Sequence, residues 1–241
     1  MTQLRWSSGS CSHMGNVRER NEDSLLESPE VGIWAIADGM GGHDRGDYAS
    51  SVTISELPQS LPPVLLNERI KQIADAATIA NSRLVEFARH GHLCGTTLTV
   101  ITVVNELMAC LWVGDSRAYL WRDATLEQIT HDHTEFQELA DAGDIHDLSA
   151  VPIEYYHTLT RAIGSEQNLE VDLKRVTIED GDVVVLCSDG LYDELDDAAI
   201  AQVIAAEVSP QQATRKLVDR ALEGECNDNV SVIVVKFEAW D

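Results

Sequence analysis

Thr97-Leu-Thr-Val-Ile-Thr-Val-Val104 is followed almost at once by Leu107-Met-Ala-Cys-Leu-Trp-Val113, and this pair of runs decides the fold. Both are rich in the β-branched and aromatic residues that suit a pleated surface. Asn105–Glu106 between them reads as a tight hairpin turn. The first run is apolar or threonine throughout, with no polar face to turn toward water. Such a strand is buried on both faces. Antiparallel strands reach that state when two sheets face each other and helices cover the outside. Asp182–Ser188 (DVVVLCS) has the same character, and Val31–Ala37, Arg117–Trp121 and Val230–Phe237 complete the strand set. Arg117–Trp121 follows a Gly-Asp-Ser turn and is expected to continue the meander.

Helical periodicity lies elsewhere. Asn67–His90 places Ile70, Ile73, Ala74, Ala77, Leu84 and Phe87 near one face. Asp44–Leu57, His133–Ala142, Asp196–Glu207 and Pro210–Glu223 are further helices. Gly143 is placed to end the second of these, and Ser209 to cap a helix with Pro210 at its first position. The order is not a strict βαβα alternation, which argues against a doubly wound parallel sheet. The expectation is an α+β fold: a four-layer αββα sandwich of two mainly antiparallel sheets with helices outside. One domain spans residues 1–241, with a flap around 142–157, where periodicity fades and a proline occurs.

Forty-one Asp and Glu face 17 Lys and Arg, a formal charge of −24. That field disfavours nucleic acid and anionic membranes as partners. Five cysteines at irregular spacing, with no CxxC pair, indicate neither a zinc site nor a disulfide framework. The N-terminal MTQLRWSSGSCSH lacks an apolar signal-peptide core, and no apolar stretch approaches a membrane span. A cytoplasmic, reducing setting is expected.

The chemistry lies in carboxylates at strand ends. Ala35-Ile-Ala-Asp-Gly-Met-Gly-Gly-His43 delivers Asp38 from a buried strand into a glycine turn that permits close backbone approach. Val185-Leu-Cys-Ser-Asp-Gly-Leu-Tyr-Asp193 repeats the arrangement at Asp189, and Cys226-Asn-Asp-Asn-Val-Ser231 places Asp228 before the last strand. Thr130-His-Asp-His-Thr134 holds Asp132 before a helix. Val17-Arg-Glu-Arg-Asn-Glu-Asp-Ser24 sets Arg18, a natural bidentate partner for phosphate, close to Glu22 and Asp23. Each stretch alone has an ordinary reading as a turn or a solvated loop. Together they bring carboxylates to one rim, where cations must compensate their repulsion. Hard Mg²⁺ or Mn²⁺ suits oxygen ligands, whereas zinc would call for clustered His or Cys.

VRERNEDS, IADGMGGH, CGTTLTV, WVGDSRAYL, THDHT, LTRAIG, LCSDGLYDEL and CNDNVSVIVV occur in the order found in the metal-dependent serine/threonine phosphatases. Over nearly its whole length the chain resembles the bacterial branch of that protein phosphatase 2C (PPM) family. The resemblance implies hydrolysis of phosphoserine and phosphothreonine in proteins by water activated by two cations, Mn²⁺ or Mg²⁺, with no phosphoenzyme. Asp38 would bridge both ions and the Gly39 carbonyl would touch one. Asp189 and Asp228 would complete a shell, Glu22 and Asp23 would act largely through water, and Arg18 would grip the substrate phosphate. Asp132, with Asp189 and Asp193, matches a third metal site. The implied partners are phosphorylated proteins, targets of a eukaryotic-like Ser/Thr kinase whose signal the enzyme, expected as a monomer, reverses. Met40 replaces a histidine that many eukaryotic members use as general acid; metal-bound water would then protonate the leaving oxygen, with His43 the lesser alternative. Two rivals differ in kind. An aspartate nucleophile would want an Asp-x-Asp pair, which IADGM and CSDGL lack. A catalytically silent phosphoprotein-binding regulator should have lost metal ligands.

Overall fold

The computed structural model describes residues 3–40, 45–58, 65–89, 94–145, 151–152 and 154–240. Along the chain run β1 (Gln3–His13), β2 (Asp23–Ser28), β3 (Ile33–Met40), α1 (Gly46–Glu56), α2 (Leu66–Ala88), β4 (Gly95–Thr96), β5 (Leu98–Val104) and β6 (Leu107–Val113). Then come β7 (Arg117–Arg122), β8 (Thr125–Gln128), α3 (Glu135–Ala142), α4 (Glu154–His157), β9 (Asp172–Thr177) and β10 (Val183–Cys187). The chain closes with α5 (Asp189–Tyr192), α6 (Asp197–Ala206), α7 (Pro210–Leu222) and β11 (Val230–Trp240). One sheet has the order β1-β11-β10-β7-β8 and the other β2-β3-β5-β6-β9, with β4 paired to β3. All pairings are antiparallel.

The hairpin forms as expected, with Leu98 opposite Val113, Val104 opposite Leu107 and Asn105 at φ 55° in the turn. The two faces of each inner strand enter different cores. On β5, Leu98 and Val100 pack with α1 and α2, while Ile101 and Val103 face the other sheet. On β10, Val184 and Leu186 face inward between the sheets, while Val185 and Cys187 pack under α6 and α7. Three apolar layers therefore separate four layers of structure, which is the α+β αββα sandwich. It explains why these strands show no alternation: neither face meets water. The helices follow their sequence signals. Thr134 and Ser209 accept hydrogen bonds from the N–H groups of Gln137 and Gln212, and Gly143 closes α3 at φ 74°. Among the described residues no helix is long and apolar enough to cross a membrane.

Three expectations are corrected. β3 does not stop at Asp38; it continues through Gly39 and Met40, which pair with β4. β7 does not continue the meander. It crosses to the facing sheet and pairs with β10 and β8. The Gly-Asp-Ser turn is that crossover: Gly114 has φ +101°, and a Cβ there would lie 2.6 Å from Thr97 Cγ2. Finally, β1, β2, β8 and β9 lie in stretches where no strand is expected. Of the 142–157 segment, residues 146–150 and 153 lie outside the described residues. The remainder includes α4, whose Tyr156 ring stacks on Phe136 of α3 with centroids 3.9 Å apart.

Candidate active site

Asp23 opens β2 and lies directly opposite Asp38 on β3. Like charges in that position repel. Asp38 is locked from behind: Thr97 Oγ1 accepts its N–H at 2.9 Å, and its carbonyl accepts from Thr97 N–H at 2.9 Å and Thr96 Oγ1 at 2.8 Å. Gly39 donates its N–H to the Glu22 carbonyl at 3.2 Å. A Cβ at Gly39 would lie 2.1 Å from the Gly46 carbonyl oxygen, so only glycine permits this approach of β3 to α1. Ser188, at the end of β10, donates to Asp23 Oδ2 at 2.9 Å and accepts the Ser231 N–H at 2.9 Å. Both sheets thus tie into one floor.

Above it, a pocket of about 250 Å³ is lined by Arg18, Glu22, Asp38, Gly39, Met40 and Asp115, with Asp189 and Asp228 beside them. The structure therefore brings Arg18, Glu22, Asp38, Gly39, Asp189 and Asp228 together around one pocket. Arg18 Nη2 lies 2.5 Å from Asp228 Oδ2 at the rim, with about half of the arginine side chain exposed. Asp23 is reached from below through Ser188 and Asp38. The electrostatics match the crowding. Burial pushes Asp38 and Asp189 well above the usual carboxylate range, and their acidic neighbours push them further. Burial raises Asp23 to about 6, partly offset by its serine donors. Burial also raises Glu22, with the Gly46 N–H opposing it. Among the described residues, two buried carboxylate oxygens, Asp23 Oδ1 and Asp189 Oδ1, have no hydrogen-bond partner. An orphaned carboxylate oxygen in a desolvated site calls for a cation.

Asp115 and Asn229 were not singled out from sequence. Asp115 lies in the crossover turn, is 4% exposed, and is raised to about 7 by burial and then by Asp132. It is the strongest carboxylate neighbour of Asp189. Its signal was present, a carboxylate ending an apolar strand, but it was read as an ordinary turn. Asn229 accepts the Glu22 N–H at 2.8 Å and donates to the carbonyls of Met14 at 3.0 Å and Arg20 at 2.9 Å. That staple holds the Arg18 loop beside Asp228.

Asp132 stands apart. Its carboxylate meets Arg117 at 2.6, 2.9 and 3.2 Å and Gln128 at 2.7 Å. Both of its oxygens are already engaged, so the geometry does not favour it as a third-site ligand with Asp189. Asp193 does lie close: ligand atoms of His157, Asp189 and Asp193 fall within 4.8 Å of one another. His43 lies outside the described residues. Arg117 also stacks 3.6 Å from the Tyr192 ring, and Tyr192 donates to the Asp115 carbonyl at 3.1 Å. The pair is thus a buttress for Asp115. Arg117→Met leaves Asp132 charged and buried without its partner, and should cost about 3 kcal/mol in urea unfolding. Adding Asp132→Asn should recover part of the loss; a single-variant cost below about 1 kcal/mol would contradict the buttress.

A carboxylate-lined rim on this double-sheet sandwich defines a class, the PPM phosphatase fold, shared with every structure compared below. Residues 12–224 match the family model of protein phosphatase 2C, and the chain belongs to that family. The serine/threonine protein phosphatase PstP of Mycobacterium tuberculosis is 34% identical over 233 residues, 95% of this chain but 45% of PstP. The chain thus spans about half the length of that relative. The serine/threonine phosphatase stp of Listeria welshimeri is 30% identical over 92% of both chains. Among solved structures, PppA, a key regulatory component of T6SS in Pseudomonas aeruginosa, superposes with a TM-score of 0.89 at 34% identity over 100% of both chains. The PstP catalytic domain, solved with two manganese ions, gives a TM-score of 0.85 at 33% identity over 98% of this chain and 99% of that one.

Proposed function

We propose that the chain is a metal-dependent protein serine/threonine phosphatase that cleaves phosphoserine and phosphothreonine esters and so reverses kinase signalling. The observation that carries this reading is the convergence of Asp38, Asp115, Asp189 and Asp228 in one pocket over Asp23, with two buried carboxylate oxygens unpartnered. The donor set is all oxygen, which fits Mn²⁺ or Mg²⁺ rather than zinc. Asp38, the Gly39 carbonyl, Asp189 and Asp228 would hold two cations, with Glu22 and Asp23 supporting them through water; Asp193 and Asp115 would serve a third. When bound, the cations supply an activated water and neutralise charge on the phosphoryl group.

The remaining work falls to the chain. Arg18, at the rim, reaches the phosphoryl oxygens with a forked donor and orients the ester. The Thr96–Thr97 bonds hold Asp38 rigid, and the Asn229 staple holds Arg18 within reach of Asp228. The complete carboxylate set argues against the alternative, a catalytically silent phosphoprotein-binding regulator. We read residues 1–241 as a single catalytic domain with 142–157 as its flap, acting as a cytoplasmic monomer on targets of a eukaryotic-like Ser/Thr kinase. Hydrolysis of a phosphothreonine peptide with Mn²⁺, Mg²⁺ or EDTA tests the proposal. Activity that survives EDTA would overturn it. Arg18→Ala should raise KM and lower kcat/KM about 10- to 100-fold, the loss of one charge-assisted contact to phosphate. An unchanged KM would remove Arg18 from that role.

A further inference from the structure

We propose that the broad cleft beside the carboxylate pocket binds the polypeptide flanking the phosphoresidue and selects chains carrying Arg or Lys there. This rests on the phosphatase reading above. The cleft measures about 960 Å³ and shares Arg18, Asp189, Asp228 and His157 with the smaller pocket. A phosphoseryl or phosphothreonyl side chain that reaches into the pocket leaves its own backbone in this cleft. The flanking residues must therefore meet the cleft walls.

Those walls are not neutral. Arg117 is paired with Asp132, and Arg18 with Asp228. Glu194 and Glu225 remain, and among the described residues neither has an ion pair; Asp193, which faces His157 at 3.8 Å, is left aside because it could hold a third cation. Glu194 Oε1 accepts the Cys226 N–H, and exposed Glu225 accepts from Asn227. Neither bond cancels charge. Cations held at Asp38, Asp189 and Asp228 would not cancel it either, because Glu194 and Glu225 do not line that pocket. The half-buried Phe136–Tyr156 stack, with an interplanar angle of 19°, lines the same cleft. Aromatic rings and unpaired carboxylates that line one cleft suit guanidinium or ammonium groups. The net charge of −24 acts in the same sense. A phosphopeptide already carries about −2 at its phosphate, and acidic flanks would add repulsion along the whole cleft.

The test uses three phosphothreonine peptides of equal length, flanked by Arg, Ala or Asp, with Mn²⁺ present. p-Nitrophenyl phosphate, which has no flanks, is assayed beside them. The expected order of kcat/KM is Arg over Ala over Asp, with about a 10-fold span at about 50 mM salt that collapses at about 500 mM. Glu225→Lys should narrow the Arg-to-Asp ratio several-fold. A flat peptide series with active p-nitrophenyl phosphate hydrolysis would overturn this proposal and leave the phosphatase reading standing. So would a ratio unmoved by both salt and Glu225→Lys. No hydrolysis of any substrate would overturn both.

Discussion

Asp38→Asn is expected to lower Mn²⁺-dependent turnover of a phosphothreonine peptide by about 10³-fold or more, while the protein stays folded. Asp38 is buried among acidic groups: Asp23, Asp189, Asp115 and Asp228 all act on it. Its backbone is fixed on both sides by Thr96 and Thr97, so an asparagine of the same shape keeps β3 in register. What the substitution removes is the charge that would be shared between two cations. The apo protein should be no less stable than wild type, because one of several mutually repelling carboxylates is gone. Isothermal titration with Mn²⁺ and peptide turnover together check this. Turnover within about 10-fold of wild type would remove Asp38 from the centre. Weak Mn²⁺ binding with normal turnover would do the same.

The inner strands were legible because burial on both faces leaves a near-continuous apolar run, as in Thr97–Val104 and Asp182–Ser188. The outer strands were not. β9, Asp172–Thr177, is an edge strand with exposed Leu173 and a polar majority, and it pairs only with β6. β1 carries Ser7, Ser8, Ser10 and Ser12 and is held chiefly by its eleven-residue register with β11. Edge strands keep one row of backbone groups and often one face in water, so their side chains carry little period-2 signal. The crossover at Gly114 was hidden for another reason. A Gly-Asp-Ser turn is compatible with a hairpin or with a change of sheet, and only the contact with Thr97 decides. The same ambiguity hides Asp115. The motif around Asp132 shows an acid before a helix; nothing in it shows that Arg117 and Gln128 bond both oxygens of the carboxylate. Arg18, Glu22, Asp38, Asp189 and Asp228 were readable because each is tied to a strand end or to the loop beside one.

Without divalent cations, the protein is expected to lose stability as pH rises from about 4 to about 7. The sign follows from the raised carboxylates. Asp23 is lifted to about 6 and Asp115 to about 7, against about 3.9 in an unfolded chain. Between those values the folded protein keeps protons that the unfolded chain releases. Stability is therefore fully present below about pH 4 and drains away as pH passes the folded values. These groups titrate as a set, so the loss belongs to the cluster, and it should amount to on the order of 3 kcal/mol or more. For a chain of this length that is about a 10 °C fall in Tm. Saturating Mn²⁺ should reverse the trend above pH 7, adding about 2.7 kcal/mol at a hundredfold excess over Kd. The surface charge of −24 also disfavours the folded state as pH rises, so the slope alone is ambiguous. Asp38→Asn separates the two contributions. It leaves nearly all of the surface charge in place but thins the buried cluster, and its metal-free Tm should fall less steeply between pH 5 and pH 7.5. Equal slopes in wild type and variant would place the effect on the surface and not in the cluster.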